Sequence, residues 1–200
     1  MRIILASASP RRKELLSNMG LNYEIIVSDC EEVTEKTKPC DIVSELSKMK
    51  ALNVFEKVEG EIFEDTLIIA ADTLVFLNDE HLGKPADKED AKRMIRKLSG
   101  CVHTVITGVT VIKACADGAK ELKKQEIVNF EEITEVYVSK LSESEIEWYV
   151  STGEPMDKAG SYAIQGRFAK FITRINGDYS NVVGLPVSKL YEELKTRGWI

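Results

Sequence analysis

The hydrophobic positions along the chain change period several times, and each change marks an element. Ile3 to Ala6 is a short, continuously apolar run of strand type that stops at Ser7-Ala8-Ser9-Pro10-Arg11-Arg12. A helix is predicted from there: Ser9 is a good N-cap, Pro10 suits the first helical position, Leu15, Leu16 and Met19 form an apolar face, and Gly20 closes it. A second helical pattern covers roughly Cys40 to Glu56, with Ile42, Val43, Leu46 and Met49 toward a core and Lys48, Lys50 and Lys57 as its cations. Leu67 to Ala71 is again continuously apolar, is broken by Asp72-Thr73, and resumes as Leu74 to Leu77. That reads as a buried strand interrupted by one carboxylate. Asn78-Asp79-Glu80 turns the chain, with His81 as a further turn residue.

Asp87 then caps a predicted helix in which Ala91, Met94, Ile95 and Leu98 recur at helical spacing, with Gly100 beyond its end. Strands dominate from Cys101 to Val138, although Lys113 to Glu126 is charged and aperiodic and suggests an exposed hairpin or loop. Ser142 and Glu145 form a capping box, with Leu141 and Ile146 as its hydrophobic staple. Ser161 to Ile164 and Phe168 to Ile175 read as paired strands around Gln165-Gly166-Arg167, and a last helix runs from about Pro186 to Arg197. The mixed order of strands and helices implies an α/β or α+β chain, and no repeat or low-complexity linker divides residues 1–200.

Composition narrows the function classes. Across 200 residues, 44% are hydrophobic and 30% charged, the balance of a globular chain rather than a disordered or fibrous one. With 27 basic and 33 acidic residues the net charge is -6, which argues against a general nucleic-acid binder, so any anion site must be local. The longest stretch without a formal charge, Leu98 to Ile112, falls short of the roughly 20 apolar residues a membrane helix needs. The first residues lack the apolar core, about 7 to 15 residues long, of a signal peptide, so a cytoplasmic location is expected. The 4 cysteines show no C-x-x-C spacing and the only histidines are His81 and His103, which leaves free thiols as the expectation and zinc without enough ligands. A metal would be a hard ion held by carboxylates.

Two local conflicts carry the chemistry. Arg11 and Arg12 lie in the first turn of a helix, where the dipole disfavours cations by roughly 0.3 to 1 kcal/mol each. An anion held among free backbone N–H groups, two guanidinium forks and the Ser7 and Ser9 hydroxyls would reverse that balance; two solvated arginines are the alternative. Asp72 follows five apolar residues, so its carboxylate should be desolvated and must find a cation or hydrogen bonds. Acids at strand ends act as metal ligands or bases, and equally as turn formers, and spacing alone does not separate these. Lys50, Lys84, Glu32 and Gln165 carry little signal singly. His103, in an alternating strand pattern, reads as a structural histidine, and Gly153 to Gly160 as an ordinary surface loop.

Taken together, Ser7-Ala8-Ser9-Pro10-Arg11-Arg12, Lys50-Ala51, Ala71-Asp72-Thr73, Gly83-Lys84-Pro85, Leu98-Ser99-Gly100, Glu154-Pro155 with Asp157-Lys158-Ala159-Gly160, Ile164-Gln165-Gly166 and Val183-Gly184-Leu185-Pro186 occur in family order. The chain resembles the Maf family of nucleoside triphosphate pyrophosphatases along nearly its whole length. The resemblance implies a single Maf-like domain with a mixed α/β fold. It would have a twisted mixed β-sheet with flanking helices, two lobes around a central cleft, an architecture similar to inosine triphosphate pyrophosphatases, and usually a homodimer.

It also implies conversion of a nucleoside triphosphate to the monophosphate and pyrophosphate with a divalent cation, Mg or Mn, as cofactor. On that reading Asp72 activates water or binds the metal, and Glu32 is a second metal-binding acid. Ser7, Ser9, Arg12, Lys50 and Lys84 hold the substrate. Arg11, Thr73 and Gln165 match the dTTP/UTP subgroup, whereas the 7-methyl-GTP subgroup has a Trp, a Gln and a Glu at those positions. A glutamine amide accepts from pyrimidine N3–H and donates to O4, a pattern that cytosine reverses. Such an activity, on dTTP, UTP and modified pyrimidine triphosphates, would keep noncanonical nucleotides out of nucleic acid. Ser47, Cys30-Glu31 before Glu32, and Arg167 after Gly166 depart from the family pattern. The rival reading is a regulator of cell division that binds nucleotide without turnover, and an enzymatic rival is a purine-directed inosine triphosphate pyrophosphatase.

Overall fold

Strand residues that alternate between two apolar faces, each covered by helices, organise the first part of the chain. The computed structural model describes residues 1–62, 64–78, 80–116 and 122–200. Its strands are β1 (Arg2–Leu5), β2 (Glu24–Ile25), β3 (Thr66–Leu77), β4 (Glu80–His81), β5 (Val102–Ala116), β6 (Leu122–Val138) and β7 (Ile172–Asn176). Its α-helices are α1 (Pro10–Asn18), α2 (Pro39–Val58), α3 (Lys88–Leu98), α4 (Glu143–Ser151), α5 (Tyr179–Val183) and α6 (Val187–Thr196). Among the described residues the strands join one 7-stranded sheet in the order β2-β1-β3-β5-β6-β7, with β4 on β3. The sheet is mixed, because β1 pairs in parallel with β2 and β3 while β4 and β7 pair antiparallel with β3 and β6. No helix among the described residues is long and apolar enough to cross a membrane.

The chain divides into two compact units: Met1–Asp72 with Thr107–Glu132 and Gly184–Ile200, and Thr73–Ile106 with Ile133–Val183. In the first unit Ile3, Leu5, Leu67, Ile69, Ala71, Val109 and Val111 share one apolar cluster with Leu16 of α1 and Leu190 and Leu194 of α6. The alternate residues Ile4, Ala6, Ile68, Ala70 and Ile112 cluster with Ala51, Val54, Phe55 and Val58 of α2. This two-residue alternation, with both faces buried, explains the unbroken apolar runs in β1 and β3. α2 lies so close to β5 that a Cβ on Gly108 would run into the Val43 carbonyl and come within 2.9 Å of Ser44 N. Beside that contact the Ser47 hydroxyl lies 2.9 Å from Thr110 Oγ1, and Asn129 Nδ2 donates to Thr110 Oγ1 at 2.6 Å and to the Ser44 carbonyl at 3.1 Å. The hydroxyl of Ser47 is therefore a satisfied buried group that ties α2 to β5 and β6.

In the second unit α3 starts as expected, with Asp87 accepting from Asp90 N, and buries Ala91, Met94, Ile95 and Leu98. The capping box of Ser142 and Glu145 starts α4, and Leu141 and Ile146 are both buried. Three expectations are corrected. Residues 161–175 are not a hairpin: 3-10 turns span Ala159–Ser161 and Arg167–Phe171, and only Ile172–Asn176 is strand, paired with β6. The reason is aromatic packing, since Phe168 lies 5.0 Å from both Tyr149 and Tyr162 and 5.4 Å from Phe171 by ring centroid. His81 is not a turn residue but pairs with Phe76 in β4, its ring 5.3 Å away. Lys113 is buried in β5 and pairs with Asp65 at 2.8 Å, so the expected exposed stretch begins later; residues 117–121 lie outside those described.

Candidate active site

The apolar alternation places Asp72. It continues the Ile68, Ala70 series on β3 and so emerges on the face that α2 covers, where Lys50 of α2 reaches it. Lys50 Nζ donates to Asp72 Oδ1 at 2.6 Å and forms a second ion pair with Glu32 Oε1 at 3.0 Å. Asp72 is 6% exposed, and its Oδ2 is buried without a hydrogen-bond partner among the described residues. The desolvation expected from the sequence is thus offset on one oxygen only.

The neighbouring turn is built around Ser7. Its hydroxyl accepts from Ser9 N at 3.2 Å and from an Arg12 Nη at 3.4 Å, while Arg12 Nε donates to the Gly184 carbonyl at 2.8 Å. Ser9 occupies the N-cap position of α1 but its side chain makes no capping bond, and no acid stands in the first turn. The positive end of α1 is therefore left uncompensated by side chains, as the anion-cradle reading requires. Burial pulls the Arg12 guanidinium below its ordinary pKa, Asp72 opposes that shift, Arg11 adds to it and Glu32 opposes it. Those interactions bind Arg11, Arg12, Glu32, Lys50 and Asp72 into one electrostatic neighbourhood of three cations and two carboxylates.

Of the site residues expected from the sequence, Ser7, Ser9, Arg11, Arg12, Glu32, Lys50 and Asp72 are thus gathered in the first unit. Thr73, Lys84 and Gln165 belong to the second unit. There Thr73 follows Asp72 on β3, and Lys84 and Gln165 are exposed, with no partner among the described residues. His103 is buried in β5: its Nε2 lies 2.7 Å from the Tyr162 hydroxyl, its Nδ1 meets no partner among the described residues, and burial pushes its pKa down to about 4. Sequence reasoning missed the Gly184 carbonyl, which holds Arg12 from 172 residues away and carries no side-chain signal.

For a divalent cation the available donors are the carboxylates of Asp72 and Glu32, both hard oxygen ligands, and Asp72 Oδ2 is buried with no hydrogen-bond partner among the described residues. Magnesium is commonly held by one or two carboxylates with substrate phosphates and water completing its shell. No group of three His, Cys, Asp or Glu side chains suited to a metal occurs among the described residues, so a protein-only cage is not built here. The two-carboxylate set fits an ion shared with a phosphate-bearing ligand.

The family model for Maf-like proteins matches residues 2–197. The chain belongs to the Maf family. A Maf relative, the dTTP/UTP pyrophosphatase of Lachnoclostridium phytofermentans, is 49% identical over 197 residues, covering 98% of this chain and 95% of that protein. The dTTP/UTP pyrophosphatase of Alkaliphilus metalliredigens is 50% identical over 194 residues, with 96% and 94% covered. That of Thermoanaerobacter pseudethanolicus is 47% identical over 195 residues, with 98% and 96% covered. Among solved structures, a nucleoside-triphosphatase / dITP/XTP pyrophosphatase from Mycobacterium abscessus aligns with 70% of this Maf chain and 74% of its own at 13% identity and a TM-score of 0.39, too low to test the expected likeness to inosine triphosphate pyrophosphatases.

Proposed function

We propose that this Maf-family chain hydrolyses dTTP and UTP, and modified pyrimidine triphosphates, to the monophosphate and pyrophosphate. The observation that carries the reading is the Asp72 carboxylate, clasped by Lys50 on one oxygen and free on the other, beside the uncapped helix start that bears Arg11 and Arg12. The names of relatives nearly half identical over the full length support the same substrates.

In this mechanism water attacks the α-phosphorus, its oxygen forming the new P–O bond while the bond to the bridging oxygen of the β-phosphate breaks and pyrophosphate leaves. Asp72 Oδ2 accepts the proton of the attacking water. Lys50, Arg12 and Ser7 hold phosphate oxygens, as do Ser9 and Lys84, which stabilises the charge that develops as the bond breaks. A divalent cation, Mg or Mn, held by Asp72 and Glu32 would neutralise phosphate charge when bound. Gln165 reads N3–H and O4 of the base, with Arg11 and Thr73 as the other specificity positions. The same reading includes a homodimer and a cytoplasmic location.

Incubation with Mg or Mn and a panel of dTTP, UTP, CTP, GTP and 7-methyl-GTP tests the proposal. Pyrophosphate release with dTTP and UTP leading is the expected result. Orthophosphate release would overturn the reaction class, a lead for 7-methyl-GTP the base assignment, and tight UTP binding with no product over hours would favour the regulatory reading.

A further inference from the structure

The segment Gly153 to Gly160 has no part in the site so far, yet one of its side chains is built into the turn that carries Gln165. Glu154 Oε1 accepts from the Tyr149 hydroxyl at 2.9 Å, and Oε2 accepts from the backbone N–H of Arg167 at 3.0 Å. The same carboxylate lies against the α-carbon of Gly166, where any Cβ would collide with it. Glu154 is itself fixed, because its N–H donates to Thr152 Oγ1 at 3.2 Å and its carbonyl accepts from Lys158 Nζ at 2.9 Å. Tyr149 is wholly buried on α4 with its ring 5.0 Å from Phe168, and its burial, with Glu154 beside it, pushes the phenol pKa up, which keeps it a donor. Gln165, by contrast, is exposed and its amide has no partner among the described residues. The backbone of its turn therefore sets the point from which that side chain starts.

We propose that Glu154 is a positioning residue for base recognition: its carboxylate clamps Gly166 and Arg167 and so fixes the backbone from which Gln165 reaches the uracil or thymine edge. The inference rests on the reading of Gln165 as the group that meets the base. The physical argument is preorganisation. An unanchored turn would have to be ordered by the substrate itself, which lowers affinity, and an amide carried on a mobile backbone discriminates less well between uracil and cytosine. A carboxylate suits the task because charge-assisted bonds to a peptide N–H and a phenol are stronger than neutral ones. Glycine at 166 is required for the close approach, since any side chain there would displace the clamp.

The test is a double-mutant cycle on the full chain with Glu154→Ala, Gln165→Ala and the pair, each assayed with UTP and CTP. Gln165→Ala is expected to lower the UTP over CTP preference in kcat/KM about tenfold or more, the loss of one oriented hydrogen-bonding group. Glu154→Ala is expected to lower it in the same direction, with the change falling on KM for UTP rather than on kcat, and the double variant to be no worse than Gln165→Ala. Glu154→Gln, which keeps an acceptor for Arg167 N–H, is expected to restore most of the preference. Hydrogen exchange at the Arg167 amide is expected to rise in Glu154→Ala and in Tyr149→Phe, which reads the clamp even if one variant is poorly stable. If Gln165→Ala leaves the preference unchanged, the assignment of Gln165 fails and the positioning role fails with it. If Gln165→Ala lowers it while Glu154→Ala does not, or the two effects add, the base reading survives and the positioning role is overturned.

Discussion

Lys50 donates to one carboxylate oxygen of Asp72 at 2.6 Å while the other oxygen, buried, meets no donor. The lysine thus neutralises the charge of the acid without occupying the lone pairs that chemistry needs. Replacing Asp72 by Asn keeps shape and volume but removes the proton acceptor of the proposed mechanism. Turnover of UTP is expected to fall about 10²- to 10⁴-fold, the usual range for a positioned general base, while the thermal transition stays cooperative. Pyrophosphate release and a melting curve measured on one preparation check both halves. A near-normal rate in Asp72→Asn would remove the residue from its role.

The converse substitution is a stability experiment. The Lys50 and Asp72 side chains are 13% and 9% exposed, so removing the cation leaves a carboxylate in a poorly solvated place. Lys50→Ala is expected to cost about 3 kcal/mol, the low end for breaking a buried ion pair, as read from urea unfolding. The double variant Lys50→Ala/Asp72→Asn should recover part of that loss. No recovery would mean that the pair is not what holds the two side chains.

Gly108 makes a third case. A methyl group there must push α2 off β5 at Val43, and α2 is the element that carries Lys50. Gly108→Ala is expected to destabilise the chain by about 1 to 3 kcal/mol, as overpacking of a close contact does, and to lower UTP turnover as well. Denaturation and rate measurements on the same sample would show both effects or refute the connection.

His103 predicts a pH dependence. Its pKa is about 4 in the folded chain against an ordinary 6.5, because burial disfavours the cation. The unfolded chain therefore binds the extra proton first, and stability from this group is fully present above pH 6.5 and lost as pH falls to about 4. The loss is on the order of 3 kcal/mol. Unfolding free energies at pH 4 to 7 for the natural chain and His103→Gln should converge at the acid end, because the variant lacks the imidazole whose protonation in the unfolded chain erodes stability. Parallel curves across that range would assign the acid sensitivity to other groups.

Much of the fold was legible because local chemistry and burial agree in the relevant segments. Asp87 with Ala91, Met94, Ile95 and Leu98 specifies α3, and Ser142 with Glu145 specifies the start of α4, through bonds made within a single turn. The candidate site was legible where local rules were broken: two arginines at a helix start without an acid, and one carboxylate inside an apolar strand. What was not legible depends on partners distant in sequence. The segment around Phe168 looks like a hairpin until Tyr149 and Tyr162 are brought against it, and Lys113 looks solvated until Asp65 meets it. Glu154 looks like a loop acid because neither the Arg167 N–H nor the crowding at Gly166 has a signature in the sequence.

The bond from Arg12 to the Gly184 carbonyl spans 172 positions. A ribosome therefore delivers one half of it near the beginning of translation and the other half only shortly before the final helix is made. Until then the guanidinium lacks that bond, and a nascent chain halted before residue 184 cannot present the finished turn around Ser7, however much of the sheet has already formed. The turn that carries Arg12 is thus completed late in synthesis, by a residue from the far end of the chain.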